Sequence, residues 1–269
     1  MHQGNTLMKL PISAIVVGLN VGKLLRDCLS SIQFCDEIVY FDLGSSDNST
    51  TIAKELGATI IMHERVLSCE WIHAEYANKV KNEWVLIIDP DEVIGVGLQD
   101  EIIEQFDTIV SSGTIGSVTA PWLFYFKKKR LKGTAWGGVN HRILLVNNTR
   151  FKFSPYIHQG RKLLSGYNDH KIAFNGINAI HHYWMQTYGQ LIEKHKRYLT
   201  NEGEARYING QGSSRKIILN EILSSFKYSI KTKKGYLDGF KGVFLSLLWS
   251  WYQTMAQYKL YRHQKSIKG

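Results

Sequence analysis

Three carboxylates fall within four residues at the point where a wholly apolar run stops. Trp84-Val85-Leu86-Ile87-Ile88 leads directly into Asp89-Pro90-Asp91-Glu92. Five large apolar residues in succession leave no polar face, which predicts a central strand covered on both sides. Pro90 cannot continue a strand ladder, so Asp89 and Asp91 are displayed at the strand's C-terminal edge. In open α/β sheets that edge is where ligands bind. Crowded carboxylates repel one another; a hard divalent cation relieves the repulsion and also grips phosphate oxygens. The pattern points to metal or nucleotide-phosphate binding rather than to an Asp-rich surface turn.

The elements that must position these carboxylates precede them. Ile12 to Val17 reads as a strand, Gly18-Leu19-Asn20 as a turn, and Leu24, Leu25, Cys28, Leu29 and Ile32 as one face of a helix. Glu37 to Phe41 is a second buried strand. It runs into Asp42-Leu43-Gly44-Ser45-Ser46-Asp47-Asn48-Ser49-Thr50, a loop with several candidate N-caps for a helix over Ile52 to Leu56. Gly57 closes that helix, Thr59 to Met62 forms a third strand, and Trp71 to Val80 reads as helical. Such alternation predicts an α/β fold with a mostly parallel sheet. Asp42 then shares a rim with Asp89, either accepting hydrogen bonds from a base or ribose or capping its own turn. No Gly-x-x-x-x-Gly-Lys loop is present, and no Gly-x-Gly-x-x-Gly follows the first strand, which argues against a kinase or dehydrogenase.

The chain has 269 residues, enough for one large α/β domain with an extension. No signal peptide is read at the N-terminus, and the longest apolar run, Val243 to Tyr252, is too short to cross a membrane. Three scattered cysteines, Cys28, Cys35 and Cys69, suggest reduced thiols in a cytosolic protein. The net charge of +10 is uneven: from Lys227 onward nine basic residues face one acid, Asp238, so +8 lies in the tail. That tail seeks an anionic surface. Its last helix carries an apolar stripe of Phe240, Val243, Phe244, Leu247, Leu248, Trp251, Met255 and Tyr258. A helix lying in a membrane surface and a helix docked on the catalytic domain or a dimer partner both fit this pattern. Lys127-Lys128-Lys129-Arg130 reads as a solvated hairpin tip rather than a phosphate clamp.

Taken together, Asn20, the Asp42 to Thr50 loop, Ala77-Asn78 and Asp89-Pro90-Asp91-Glu92 resemble, in order, the motifs of the family 2 glycosyltransferases. The second half resembles the subgroup with lipopolysaccharide-core β-1,4-glucosyltransferases, through Arg142-Ile143-Leu144-Leu145, Ile157-His158, His181-His182-Tyr183 and Asp238-Gly239-Phe240-Lys241-Gly242. The resemblance implies a GT-A fold, a nucleotide-sugar donor (usually UDP-linked), a Mn²⁺ or Mg²⁺ ion, and inverting transfer to a lipid-linked or envelope glycan. It also implies a nucleotide-sugar site of Asn20, Asp42, Gly44, Ser45, Asp47, Arg65, Asn78, Asp89 and Arg142, with the metal on Asp89 and Asp91 aided by His158 and His182. Val21, Ala77 and Gln159 depart from the family's usual Glu, Arg and Glu. A phosphate contact would then fall to Arg65 or Arg142, and the base that deprotonates the acceptor to Glu92 or Asp169. The expected organisation is a catalytic domain over 1–190, its nucleotide half at about 10–100 and its acceptor half at 101–190, then a helical extension over 191–269. The expected location is cytoplasmic, peripheral on the inner face of the plasma membrane, with an oligomer left open. A catalytically impaired relative, a nucleotidyltransferase and a nucleic-acid-binding protein are the competing readings. Rim carboxylates disfavour the last, since they repel phosphates unless metal-loaded, and no nucleic acid partner is expected.

Overall fold

The computed structural model describes residues 9–66, 68–154 and 161–268. It divides into two compact units: residues up to Trp122 together with His141–His182, and Leu123–Asn140 together with Tyr183 onward.

In the first unit β1 (Leu10–Gly18) lies between β2 (Cys35–Asp42) and β4 (Trp84–Ile87), parallel to both, and β3 (Thr59–Met62) extends the parallel set beyond β2. The helices α1 (Gly22–Ser30), α2 (Ser49–Glu55) and α3 (Cys69–Tyr76) connect these strands. Beyond β4 follow β5 (Glu92–Ile94), α4 (Val96–Ser111), β6 (Ile115–Phe126), β7 (Lys129–Arg130), β8 (Asn140–Asn147), β9 (Phe151–Phe153), β10 (Arg161–Leu163), β11 (Asn168–Lys171) and β12 (Ile180–Met185). The strand order is β3-β2-β1-β4-β8-β6-β12-β5, with β11 beside β6. The expected α/β class holds, with strand–helix alternation from β1 to β4. The sheet as a whole is mixed: β8 runs antiparallel to β4, and β12 to β5.

The apolar runs are explained by a core on each face of the sheet. On one side Ile12, Ala14 and Val16 of β1 pack with Leu25 and Leu29 of α1 and with Leu98, Ile102 and Phe106 of α4. On the other, Ile15 packs with Phe41, Val85, Ile87, Ile72 of α3 and Phe151 of β9. Alternate residues of one strand thus serve opposite cores. Ser13, buried among them in β1, is satisfied by donating to Glu37 Oε2 at 2.5 Å and accepting from Asn82 N–H at 3.0 Å. Each buried side chain of this size contributes about 1.5–3 kcal/mol.

The second unit opens with the hairpin expected at Lys127-Lys128. Both residues have positive φ, and Phe126 pairs with Lys129, the geometry of a tight two-residue turn. Its helices are α5 (Tyr188–Tyr198), started by a Thr187–Gln190 capping box, α6 (Glu202–Ile208), α7 (Arg215–Lys227) and α8 (Gly239–Lys268). Asp238 accepts three hydrogen bonds from backbone N–H groups, two from Lys132 (2.9 and 3.1 Å) and one from Gly133 (2.7 Å). A Cβ on Gly133 would lie 2.1 Å from the Lys234 carbonyl oxygen, so the loop needs glycine there. Among the described residues no helix is long and apolar enough to cross a membrane.

Candidate active site

The rim of the first unit is built where its parallel strands run out. Gly18 of β1 pairs with Asp42 of β2, while Ile15 pairs with Ile87, which sets Asp89 two residues further along toward the same edge. With β1 between them, β2 and β4 run about 10 Å apart, two strand spacings. Asp42, Asp89 and Asp91 therefore share one edge of one sheet.

The loops at this edge are tied together by the polar residues picked out in the sequence. Asn20 takes the left-handed conformation at φ 55°. Its side-chain oxygen accepts from Ser46 N–H (2.8 Å), and its own N–H donates to Ser45 Oγ (2.9 Å). Asp47 joins two helix starts, accepting from Gly22 N–H of α1 and Ser49 N–H of α2, both at 3.0 Å. The Ser49 hydroxyl, with these amides, holds the Asp47 carboxyl below the usual carboxylate range. Asp42 is fully buried, and its Oδ2 accepts from Gly44 N–H (3.2 Å) and Ser45 N–H (2.9 Å). Of the two roles open to Asp42, turn formation is the one these bonds perform. Tyr40 OH lies 3.3 Å from Asp42 Oδ1, and burial pushes the phenol up to about 12.

At the end of β4, Glu92 is fully buried and bonds the Arg142 guanidinium through both oxygens; it also accepts from Asp89 N–H at 3.0 Å. Arg142 in addition donates to the Ile87 carbonyl (3.2 Å) and lies 3.6 Å from Asp89 Oδ2. Its guanidinium sits 5.4 Å from the centre of the Trp122 ring. Trp122 also stacks on His182, with centroids 5.0 Å apart and planes 7° from parallel, and His182 Nε2 meets Asp91 Oδ2 at 3.3 Å. Cys28 donates to the Asp89 carbonyl at 3.4 Å; burial, then the charges of Glu92, Asp91 and Asp89, push its thiol up. One thiol thus feels all three acids of the motif.

Several expected residues lie elsewhere. Asn78 follows α3 on the opposite edge of the sheet, where Ala77 O accepts from Asn148 and the next residues bond Ser13 and Glu37 at the strand starts. The chain must return to that edge to enter β4, so Asn78 does not reach the rim. Asp169 accepts from Ser117 (2.6 Å) and Thr119 (3.0 Å). Thr119, the nearer of these, precedes Trp122 by three residues, about 10 Å along β6, so Asp169 lies away from the Trp122–His182 stack. Glu92, the other expected base, is fully buried with both oxygens bonded to Arg142. Arg65 lies exposed on the loop after β3, and Gly44 has φ 87° in the Asp42 turn. His158 falls outside the described residues. Trp122 and Cys28 carried no chemical signal in the sequence beyond their apolar positions.

Asp91 and His182 offer one oxygen and one nitrogen donor side by side, a combination that suits Mn²⁺ and tolerates Mg²⁺. Among the described residues no group of three or more His, Cys, Asp or Glu side chains gathers as a ready metal site, and Asp89 is turned toward Arg142. Protein donors alone thus fit only part of a coordination sphere.

No family model matches the chain. Its similarity to curated proteins nevertheless runs almost end to end. It is 22% identical over 94% of its length to a protein of Rickettsia bellii named as an uncharacterized glycosyltransferase, covering 87% of that protein. A Rickettsia prowazekii protein of the same name is 24% identical over 93% of the chain and 86% of the relative. Among solved structures, glucosyl-3-phosphoglycerate synthase from Mycobacterium tuberculosis, in complex with Mn²⁺ and UDP, aligns at 18% identity over 43% of each chain, with a TM-score of 0.33. TarS 1–349 of S. aureus in complex with UDP aligns at 20% identity over 45% of this chain and 36% of that one, also at 0.33.

Proposed function

We propose that this protein is an inverting, metal-dependent glycosyltransferase of the family 2 type. It transfers a hexose from a nucleotide-diphosphate sugar, UDP-linked, to a lipid-linked or envelope glycan at the inner face of the plasma membrane. The observation that carries the reading is the convergence of Asp42, Asp89 and Asp91 on one edge of a parallel sheet, with His182 beside Asp91. The near full-length similarity to proteins named glycosyltransferases supports it. In this reading Asp91 and His182 hold Mn²⁺ or Mg²⁺, which when bound offsets charge growing on the leaving diphosphate. Arg142, fixed by Glu92, sets the direction of Asp89 and offers positive charge toward a phosphate. The Asn20–Ser45–Asp47 bonds keep the nucleotide loops in one shape, so that little order is lost on binding. Glu92 acts here as a positioning residue, not as the base.

A thermal-shift screen of nucleotide sugars with and without Mn²⁺ tests the proposal. A sugar nucleotide at a hundredfold excess over its dissociation constant stabilises the protein by about 2.7 kcal/mol. Asp91→Ala is expected to abolish the Mn²⁺ dependence of that shift. Equal affinity with metal and with chelator would remove the metal from the mechanism. Glycosyl transfer to envelope lipid extract separates an active enzyme from a binding-only relative, the reading that the departures at Val21, Ala77 and Gln159 keep open.

A further inference from the structure

The helix α8 is apolar on two opposite sides, and only one of them is used. Leu245, Ala256 and Leu260 are fully buried. Half a turn away Phe240 is 83% exposed and Leu247 55%, with Val243, Trp251 and Tyr258 also open. At 100° per residue these five fall within about 80° of arc, and they extend about 27 Å along the axis. Scattered exposed hydrophobics are ordinary, but an aligned stripe of this length marks a contact surface.

Charge identifies what covers it. In sequence, Lys231, Lys233 and Lys234 precede the stripe, Lys241 follows its first residue, and Lys259, Arg262 and Lys265 follow its end. The lone acid of the segment, Asp238, is engaged with the Lys132 and Gly133 amides. A second copy meeting this face about a two-fold axis would bring +8 against +8, so self-association is disfavoured. A spanning helix is excluded among the described residues by the lack of a long apolar window.

We propose that the outward face of α8 lies in the surface of an anionic phospholipid bilayer. Phe240, Val243, Leu247 and Trp251 enter the boundary between headgroups and acyl chains, and the lysines at both ends meet lipid phosphates. The proposal deepens the membrane location given above and rests on that reading only for the acceptor's position. The helix lies flat, its buried side still packed in the second unit.

Sedimentation with vesicles tests it on the full chain. The protein is expected to bind phosphatidylcholine vesicles that contain phosphatidylglycerol and to stay in solution with phosphatidylcholine alone. Lys231→Gln should weaken binding about fivefold, the effect of one basic residue near an anionic leaflet. Phe240→Ser, at a site too exposed to disturb the core, should weaken it about tenfold. Equal binding to both vesicle types, or binding unchanged in both variants, would overturn the proposal. So would a dimer in analytical ultracentrifugation that Phe240→Ser dissolves. The UDP-sugar thermal shift, measured in parallel, should persist in both variants. Vesicle binding without any such shift would refute the sugar-transfer reading and leave the membrane face standing.

Discussion

Glu92 and Arg142 form an ion pair with 0% and 12% side-chain exposure, and the pair reaches Asp89 through both a backbone amide and a charge. Removing one partner of such a pair strands the other. Glu92→Ala is expected to lower unfolding free energy by about 3–5 kcal/mol in urea denaturation, with loss of any Mn²⁺-dependent UDP-sugar shift. His195 titrates in the opposite setting, buried among Trp136, Trp184 and Tyr252. Burial, then Lys194, hold its imidazole below the ordinary histidine value, against a bond to the Leu191 carbonyl. The unfolded chain therefore binds the proton more readily. Stability is full above about pH 6.5 and falls as pH drops from there toward the folded value. His195→Gln should flatten that slope in denaturation curves taken on both sides of pH 6.5. The rim acids were legible in the sequence because Pro90 ends a run that no amphipathic strand would contain. Asn78 was not, because nothing in Trp71 to Val80 marks the end of α3 at Tyr76 with glycine or proline. Asp169 depends on β11 pairing with β6 across some fifty residues, a contact that local spacing does not encode.

At the scale of elements, close contacts between helices decide what can be changed. A Cβ on Gly203 of α6 would lie 2.7 Å from backbone atoms of Lys259 in α8. Gly203→Ala should push the two helices apart and lower stability by about 1–3 kcal/mol, read from the urea midpoint. The stripe on α8 was legible as a 3–4 repeat; its buried side was not. Ser246 and Ser250 interrupt the apolar run, yet both are buried. Ser246 Oγ pairs with the Ser229 hydroxyl at 2.9 Å, and Ser250 donates to the Ile222 carbonyl at 2.6 Å. With these partners a hydroxyl can replace a methyl inside, so hydropathy alone misassigns the face. The parallel half of the sheet is legible to within two residues at every strand end: β3 spans Thr59–Met62 as expected, β4 ends one residue early, and β1 and β2 each start two residues sooner than expected. The antiparallel half was not, because its neighbours in space are distant in sequence.

Over the whole molecule, charge rather than mass distinguishes one end from the other. The last 43 residues carry +8 and the rest +2, so binding to an anionic surface should weaken with salt. Vesicle affinity is expected to fall steadily between low and high ionic strength, whereas a purely apolar contact would hold or tighten, as flotation at increasing sodium chloride would reveal. The three backbone bonds to Asp238 bear on how that end is best probed. A chain shortened before Asp238 loses the acceptor for two amides more than a hundred residues upstream, and the glycine loop that nestles against Lys234 is left without its clasp. Desertion of the membrane by a truncated protein would thus confound a missing anchor with a slackened loop. Single changes on the outward face spare the clasp and tell the two apart.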